Sequence, residues 1–175
     1  MNMLSKVLFL GGSYLLVWTG AAQAERGQIS FQGEVQASTC EVRNDGGNPI
    51  VGLPVADAVS LNRAGSVTGL TRFVLEVDNC PPSVTEVSSY LEGPNINSEG
   101  RLDLTPGGAG NVQLQVLNNA QQVMNLAAAS GSQGAPQRTV FNGAAELVFF
   151  VQYFATGAAT PGPVTSSVQY SLIYL

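Results

Sequence analysis

The chain has no histidine, one lysine, one tryptophan and two cysteines, and only 11% of its 175 residues are charged. Without imidazole there is no Ser-His-Asp or Cys-His pair to activate a nucleophile, and no histidine ligand for a metal. The charged fraction is less than half the roughly 25% of an ordinary soluble domain, so Ser, Thr, Asn, Gln and Gly must cover much of the surface. The few charges are mostly acidic, 12 carboxylates against 7 basic side chains, for a net charge of −5. With no basic cluster, the electrostatic footprint for nucleic acid or anionic lipid is missing, and neither is expected as a partner. At 45% hydrophobic the chain is still too apolar to be disordered. Its length suits a single domain.

Residues 1–24 read as a secretory signal. Lys6 supplies the positive start, Val7 to Trp18 an apolar stretch broken by Gly11, Gly12 and Ser13, and Ala22-Gln23-Ala24 a small-x-small cleavage site. That stretch is shorter than the about 20 residues needed to cross a bilayer, so direct membrane insertion is not expected. Removing 24 of the 175 residues leaves 151 that begin at Glu25, with six arginines against twelve acids, a net charge of −6. The only lysine leaves with the signal, and lysine general-base or Schiff-base chemistry leaves with it. Export also places Cys40 and Cys80 in an oxidising compartment, where such a pair is expected to be a structural disulfide. Closing a 40-residue loop is worth roughly 4 kcal/mol, against a typical domain stability of about 5–15 kcal/mol.

Period two dominates the mature chain. Ile29, Phe31, Gly33 and Val35 alternate with Gln28, Ser30, Gln32 and Glu34. Phe73, Leu75 and Val77 alternate with Glu76 and Asp78, and Val112, Leu114 and Val116 with Gln113 and Gln115, after which Asn118-Asn119 suits a hairpin turn. Leu147 to Phe154 is apolar or aromatic at nearly every position, which predicts a strand covered on both faces. The last strand is expected to place Val168, Tyr170, Leu172 and Tyr174 on one face. Breakers lie between these runs, among them Pro81-Pro82, Gly93-Pro94, Pro106-Gly107-Gly108 and Pro161-Gly162-Pro163. Residues 130–136, rich in Gly and Ser, read as a surface loop. Leu126 to Ala129 is the only helical candidate and is too short to stand alone. This pattern predicts an all-β sandwich without repeats or an internal domain boundary. Glu99 and Asp103 read as solvated turn carboxylates rather than a glycosidase pair. Asp45-Gly46-Gly47-Asn48 reads as a turn, lacking the spacing of a calcium loop.

Two segments carry a family resemblance. Gly27-Gln28-Ile29-Ser30-Phe31-Gln32-Gly33-Glu34-Val35, followed by Thr39-Cys40-Glu41-Val42, resembles the amino terminus of the chaperone–usher pilins of Gram-negative bacteria. Tyr153-Phe154-Ala155-Thr156-Gly157-Ala158-Ala159-Thr160-Pro161-Gly162-Pro163 through Tyr174-Leu175 resembles the carboxy terminus of type 1 fimbrial major subunits. Tyr174 is penultimate and Gly162 fourteenth from the end, positions that family marks, and the cysteine separation is family-like. Both ends and the cysteine pair are covered; residues 85–140 match only in general β character.

The resemblance implies an all-β, immunoglobulin-like pilin sandwich, incomplete for want of its seventh strand, with an apolar groove beside the last strand. A periplasmic chaperone would lend a strand during export, and the next subunit's amino-terminal extension would replace it in the fibre, a known case of β-strand addition. It implies a signal at 1–24, a donor extension at 25–32 and a pilin domain at 33–175. Ile29, Phe31, Gly33 and Val35 would donate, Gly33 allowing close backbone approach. Gly162, Val168, Tyr170, Leu172 and Tyr174 would mark the chaperone-facing or accepting strand. The implied partners are other pilin subunits, a periplasmic chaperone and an outer-membrane usher, and the location is a cell-surface fimbrium reached through the periplasm and supporting adhesion. No catalysis and no cofactor are implied. Set against this, Ile29 to Val35 could be an ordinary first strand of the same domain, and Tyr170 and Tyr174 a terminal aromatic pair. The alternative function is a self-complete secreted monomer that binds a glycan or protein, which would be soluble and stable without a chaperone.

Overall fold

The computed structural model describes residues 28, 30–33 and 39–175, and the chain divides into two compact units, Met1–Val35 and Gln36–Leu175. In the first unit Gln28, Ser30, Phe31, Gln32 and Gly33 have no regular secondary structure, and Phe31 is 90% exposed. The strand expected there is not formed in these residues, since alternation alone supplies no pairing partner. Ile29 and Val35, and the signal at 1–24, lie outside the described residues.

The second unit is a two-sheet antiparallel sandwich. Its strands among the described residues are β1 (Glu41–Val42), β2 (Val67–Asp78), β3 (Glu86–Glu92), β4 (Val112–Leu117), β5 (Arg138–Thr139), β6 (Ala145–Ala155) and β7 (Gln169–Tyr174). One sheet has the order β1-β2-β6-β4 and the other β5-β3-β7, so among the described residues β7 is an edge strand paired with β3. The Cys40–Cys80 disulfide forms with a Cα–Cα distance of 4.2 Å, tying the start of β1 to the end of β2, where Glu41 already pairs with Asp78. Asn118 folds the chain back after β4, its backbone pairing with Gln122 and its side chain capping the N–H groups of Ala120 and Gln122.

The expected alternation builds the core. Leu75 and Val77 of β2 and Leu114 and Val116 of β4 point inward, Val87 and Leu91 of β3, a strand that the sequence reading did not single out, join them, and Phe73 and Phe149, paired across β2 and β6, stack at 5.2 Å. Each such side chain contributes about 1.5–3 kcal/mol when fully buried. Three expectations are corrected. The central strand β6 is not covered on both faces: Leu147, Phe149, Val151, Tyr153 and Ala155 are buried, while Val148, Phe150, Gln152 and Phe154 are half-buried on an outer face. That face is only partly shielded, by Arg101 lying 4.2 Å over the Phe154 ring and by a Gln152–Gln115 hydrogen bond, and its apolar character made the run look two-sided. The loop at 130–136 is not wholly superficial. Gln133 is 2% exposed, its amide accepting from Leu91 N–H at 2.9 Å and donating to the carbonyls of Leu91 at 2.6 Å and Leu126 at 2.7 Å. It satisfies β3 where the short β5 no longer reaches. Finally, β7 starts at Gln169, leaving Val168 and Gly162 in the connection before it.

Candidate functional site

The sandwich contains an open cleft of about 1370 Å³. Its lining comes from the inner faces of β2, β4 and β6, including Phe73, Leu75, Leu114, Val116, Val151 and Tyr153, from the segment 47–58, and from the run through 159–171 that leads into and begins β7. The volume exceeds the about 300–1000 Å³ usual for a small-molecule site.

The strand edge beside this cleft is unoccupied by any strand among the described residues. Glu86 and Leu175 exchange both main-chain hydrogen bonds, at 3.3 and 3.0 Å, which sets the phase of the β3–β7 ladder. Antiparallel alternation then turns the main-chain groups of Gln169, Ser171 and Ile173 toward β3, and those of Tyr170, Leu172 and Tyr174 to the open edge. The same three residues place their side chains against the core. One row therefore presents both apolar side chains and unpaired main-chain donors and acceptors, which is the chemistry that receives an added strand.

Of the residues singled out in the sequence, Gly162, Val168 and Tyr170 line the cleft. Leu172 and Tyr174 continue the same face, with the Tyr174 hydroxyl accepting from Cys40 N–H at 3.0 Å. At Gly162 a Cβ would lie 2.8 Å from Ala109 N and 2.9 Å from Ala109 Cα, so only glycine fits where these two loops cross. Phe31 and Gly33 belong to the other compact unit.

Beyond the turn read at Asp45-Gly46-Gly47-Asn48, the segment 47–58 was not singled out by the sequence. Val51, Leu53 and Ala56 pack against the core while Ile50 and Val55 are exposed. Two tyrosine hydroxyls reach this segment: Tyr170 donates to Gly47 C=O at 2.7 Å and Tyr153 to Pro54 C=O at 2.8 Å. Burial raises the pKa of both phenols above the ordinary value. Among the described residues no group of three or more His, Cys, Asp or Glu side chains could hold a metal, and at the rim of the cleft the Ser171 hydroxyl donates to Glu92 Oε1 at 2.9 Å, tying β7 to β3 from side chain to side chain.

No protein-family model matches the chain. It is 36% identical to an F17 fimbrial protein of Escherichia coli over 98% of this chain and 99% of that protein. It is 39% identical to the major fimbrial subunit SMF-1 of Stenotrophomonas maltophilia over 88% of this chain and 95% of that one. Its fold is similar to a subunit in a solved structure of a chaperone–usher pilus, with a TM-score of 0.60, 17% identity and coverage of 90% of this chain and 100% of that one.

Proposed function

This chain belongs to the fimbrial subunits of chaperone–usher pili, and from that premise we propose that its cleft is filled by a strand donated from a neighbouring copy or pilin. It is a structural subunit of a pilus with an immunoglobulin-like fold and not an enzyme. The observation that carries the strand-donation reading is the apolar cleft lying beside an open β7 edge whose free main-chain groups and inward side chains belong to the same residues.

The donor is the extension at 25–32 continuing into the pilin domain at 33–175, after a signal at 1–24 is removed. Its Ile29, Phe31, Gly33 and Val35 share one face of an extended strand and span about 20 Å, close to the length of the six-residue β7 at about 3.4 Å per residue. Moving Ile29, Phe31 and Val35 from water into the cleft contributes roughly 5–9 kcal/mol before ordering costs. The accepting side is Gly162, Val168, Tyr170, Leu172 and Tyr174. Before assembly a periplasmic chaperone covers the same edge, an outer-membrane usher directs the exchange, and the finished fimbrium lies on the cell surface. The fimbrial relatives do not favour a self-complete ligand-binding monomer.

Deleting Glu25 to Gln32 tests this. The truncated subunit is expected to be exported and held by its chaperone as a monomer, yet to fail as a donor, ending fibre growth. Normal incorporation of the truncated chain along the fibre would refute the proposal.

A further inference from the structure

The segment 47–58 forms part of the cleft lining and runs between two short 3-10 turns, Asn44–Gly47 and Ala58–Leu61. Among the described residues, none from Val51 to Ala56 makes a hydrogen bond to another main-chain group. Apolar contacts of Val51, Leu53 and Ala56 hold it from within. Its described polar anchors to the sheets are the hydroxyls of Tyr170, at Gly47, and Tyr153, at Pro54, seven residues apart along the segment. The residues joined are 123 and 99 positions apart in sequence.

The Tyr153 anchor has a support on the neighbouring strand. Gly69 sits where the β2–β6 register shifts between Thr68 and Thr71, with φ +70°. A Cβ there would fall 2.6 and 2.7 Å from Tyr153 Cδ2 and Cε2 and 3.5 Å from Pro54 Cγ. The missing side chain is thus the space in which the Tyr153 ring lies to reach Pro54, and the bulge supplies the backbone shape that glycine tolerates.

We propose that Tyr153 and Tyr170, with Gly69 making room for the first, are positioning residues that clamp the segment 47–58 in place and hold the cleft to the width of one captured strand. This rests on the strand-donation reading above. The clamp acts through the two hydroxyls and the segment they hold; the main chain of Tyr170 belongs separately to the accepting edge, which a Phe substitution leaves intact. Without the clamp the segment loses the two hydroxyls that tie it to β6 and β7, and a captured strand is released faster.

The test uses the exported subunit purified with its periplasmic chaperone and challenged with a labelled synthetic peptide of the sequence of residues 25–38. Release of the captured peptide is then followed on adding excess unlabelled peptide. Tyr153→Phe and Tyr170→Phe keep both rings and remove only the hydroxyls. The double variant is expected to capture the peptide, to keep the wild-type circular dichroism and disulfide, and to release the peptide about tenfold faster, the effect of losing two hydrogen bonds. Gly69→Ala reaches the same clamp from β2 and is expected to speed release in the same direction. Release from the double Phe variant at the wild-type rate overturns the clamp. Failure of the wild-type subunit to capture the peptide at all overturns the strand-donation reading, and the clamp with it.

Discussion

Replacing Gln133 by leucine should be among the most damaging single changes outside the cleft. The amide makes three hydrogen bonds, with Leu91 N–H, Leu91 C=O and Leu126 C=O. Leu91 and Leu126 are each 2% exposed, so water cannot take its place without opening the core. Leaving a buried main-chain group unpaired costs about 1–3 kcal/mol, and three such groups, partly offset by leucine's greater hydrophobicity, suggest a loss of about 3–5 kcal/mol. That is a large part of a domain's usual stability of about 5–15 kcal/mol. Urea unfolding of the peptide-complemented subunit, at fixed peptide excess because bound peptide adds its own stabilisation, measures it. Gln133→Glu sharpens the logic. It keeps an acceptor for Leu91 N–H but turns a carboxylate toward two carbonyls, which raises its folded pKa above the unfolded value of about 4.3. Its stability should therefore be fullest below that pH and fall as pH rises through the folded pKa. A leucine variant within about 1 kcal/mol of wild type would refute the claim that this amide satisfies the edge of β3.

Two further outcomes follow from the same structure. Because the folded pKa values of Tyr153 and Tyr170 are raised, the stability they contribute is complete below the unfolded phenol pKa of about 10 and is lost as pH rises through the folded values. Tyrosinate absorbance should show a late-ionising phase that disappears in the Tyr153→Phe/Tyr170→Phe variant; a phase that persists there contradicts the assignment. Gly162→Ala should cost about 1–3 kcal/mol, because the added methyl meets main-chain atoms that cannot rotate away. Gly52→Ala, with nothing within 4 Å, is the control, expected to change stability by less than about 0.5 kcal/mol in thermal unfolding.

The sandwich was legible because its inward rows are local patterns: Leu75 and Val77, or Leu114 and Val116, advertise a face at period two. β6 misled because its outer row, Val148, Phe150 and Phe154, is as apolar as its inner one, and sequence cannot tell a half-covered face from a buried one. The two-residue hairpin joining Phe141 to Ala144 carries the Asn142-Gly143 signature, both residues at positive φ, a turn that this dipeptide alone encodes. Gln133 could not be found that way, since its partners Leu91 and Leu126 belong to other segments and its neighbours are loop-like. The cleft was expected only through family resemblance, because a gap between sheets leaves no local periodicity. Gly69 inside a strand pattern was a visible hint of a bulge, but its connection to Tyr153 is purely tertiary.

Photo-cross-linking from position 31 tests strand donation most directly. Phe31 is replaced by a benzophenone-bearing analogue, and fibres are assembled from mixed isotope-labelled and unlabelled copies. After irradiation, the linked peptides are identified by mass spectrometry. The account predicts links between different copies, landing on residues that line the cleft, such as Phe73, Val151, Val168 or Tyr170. Links confined to one copy, or landing on the outer face of β6 at Val148 and Phe150, would contradict it.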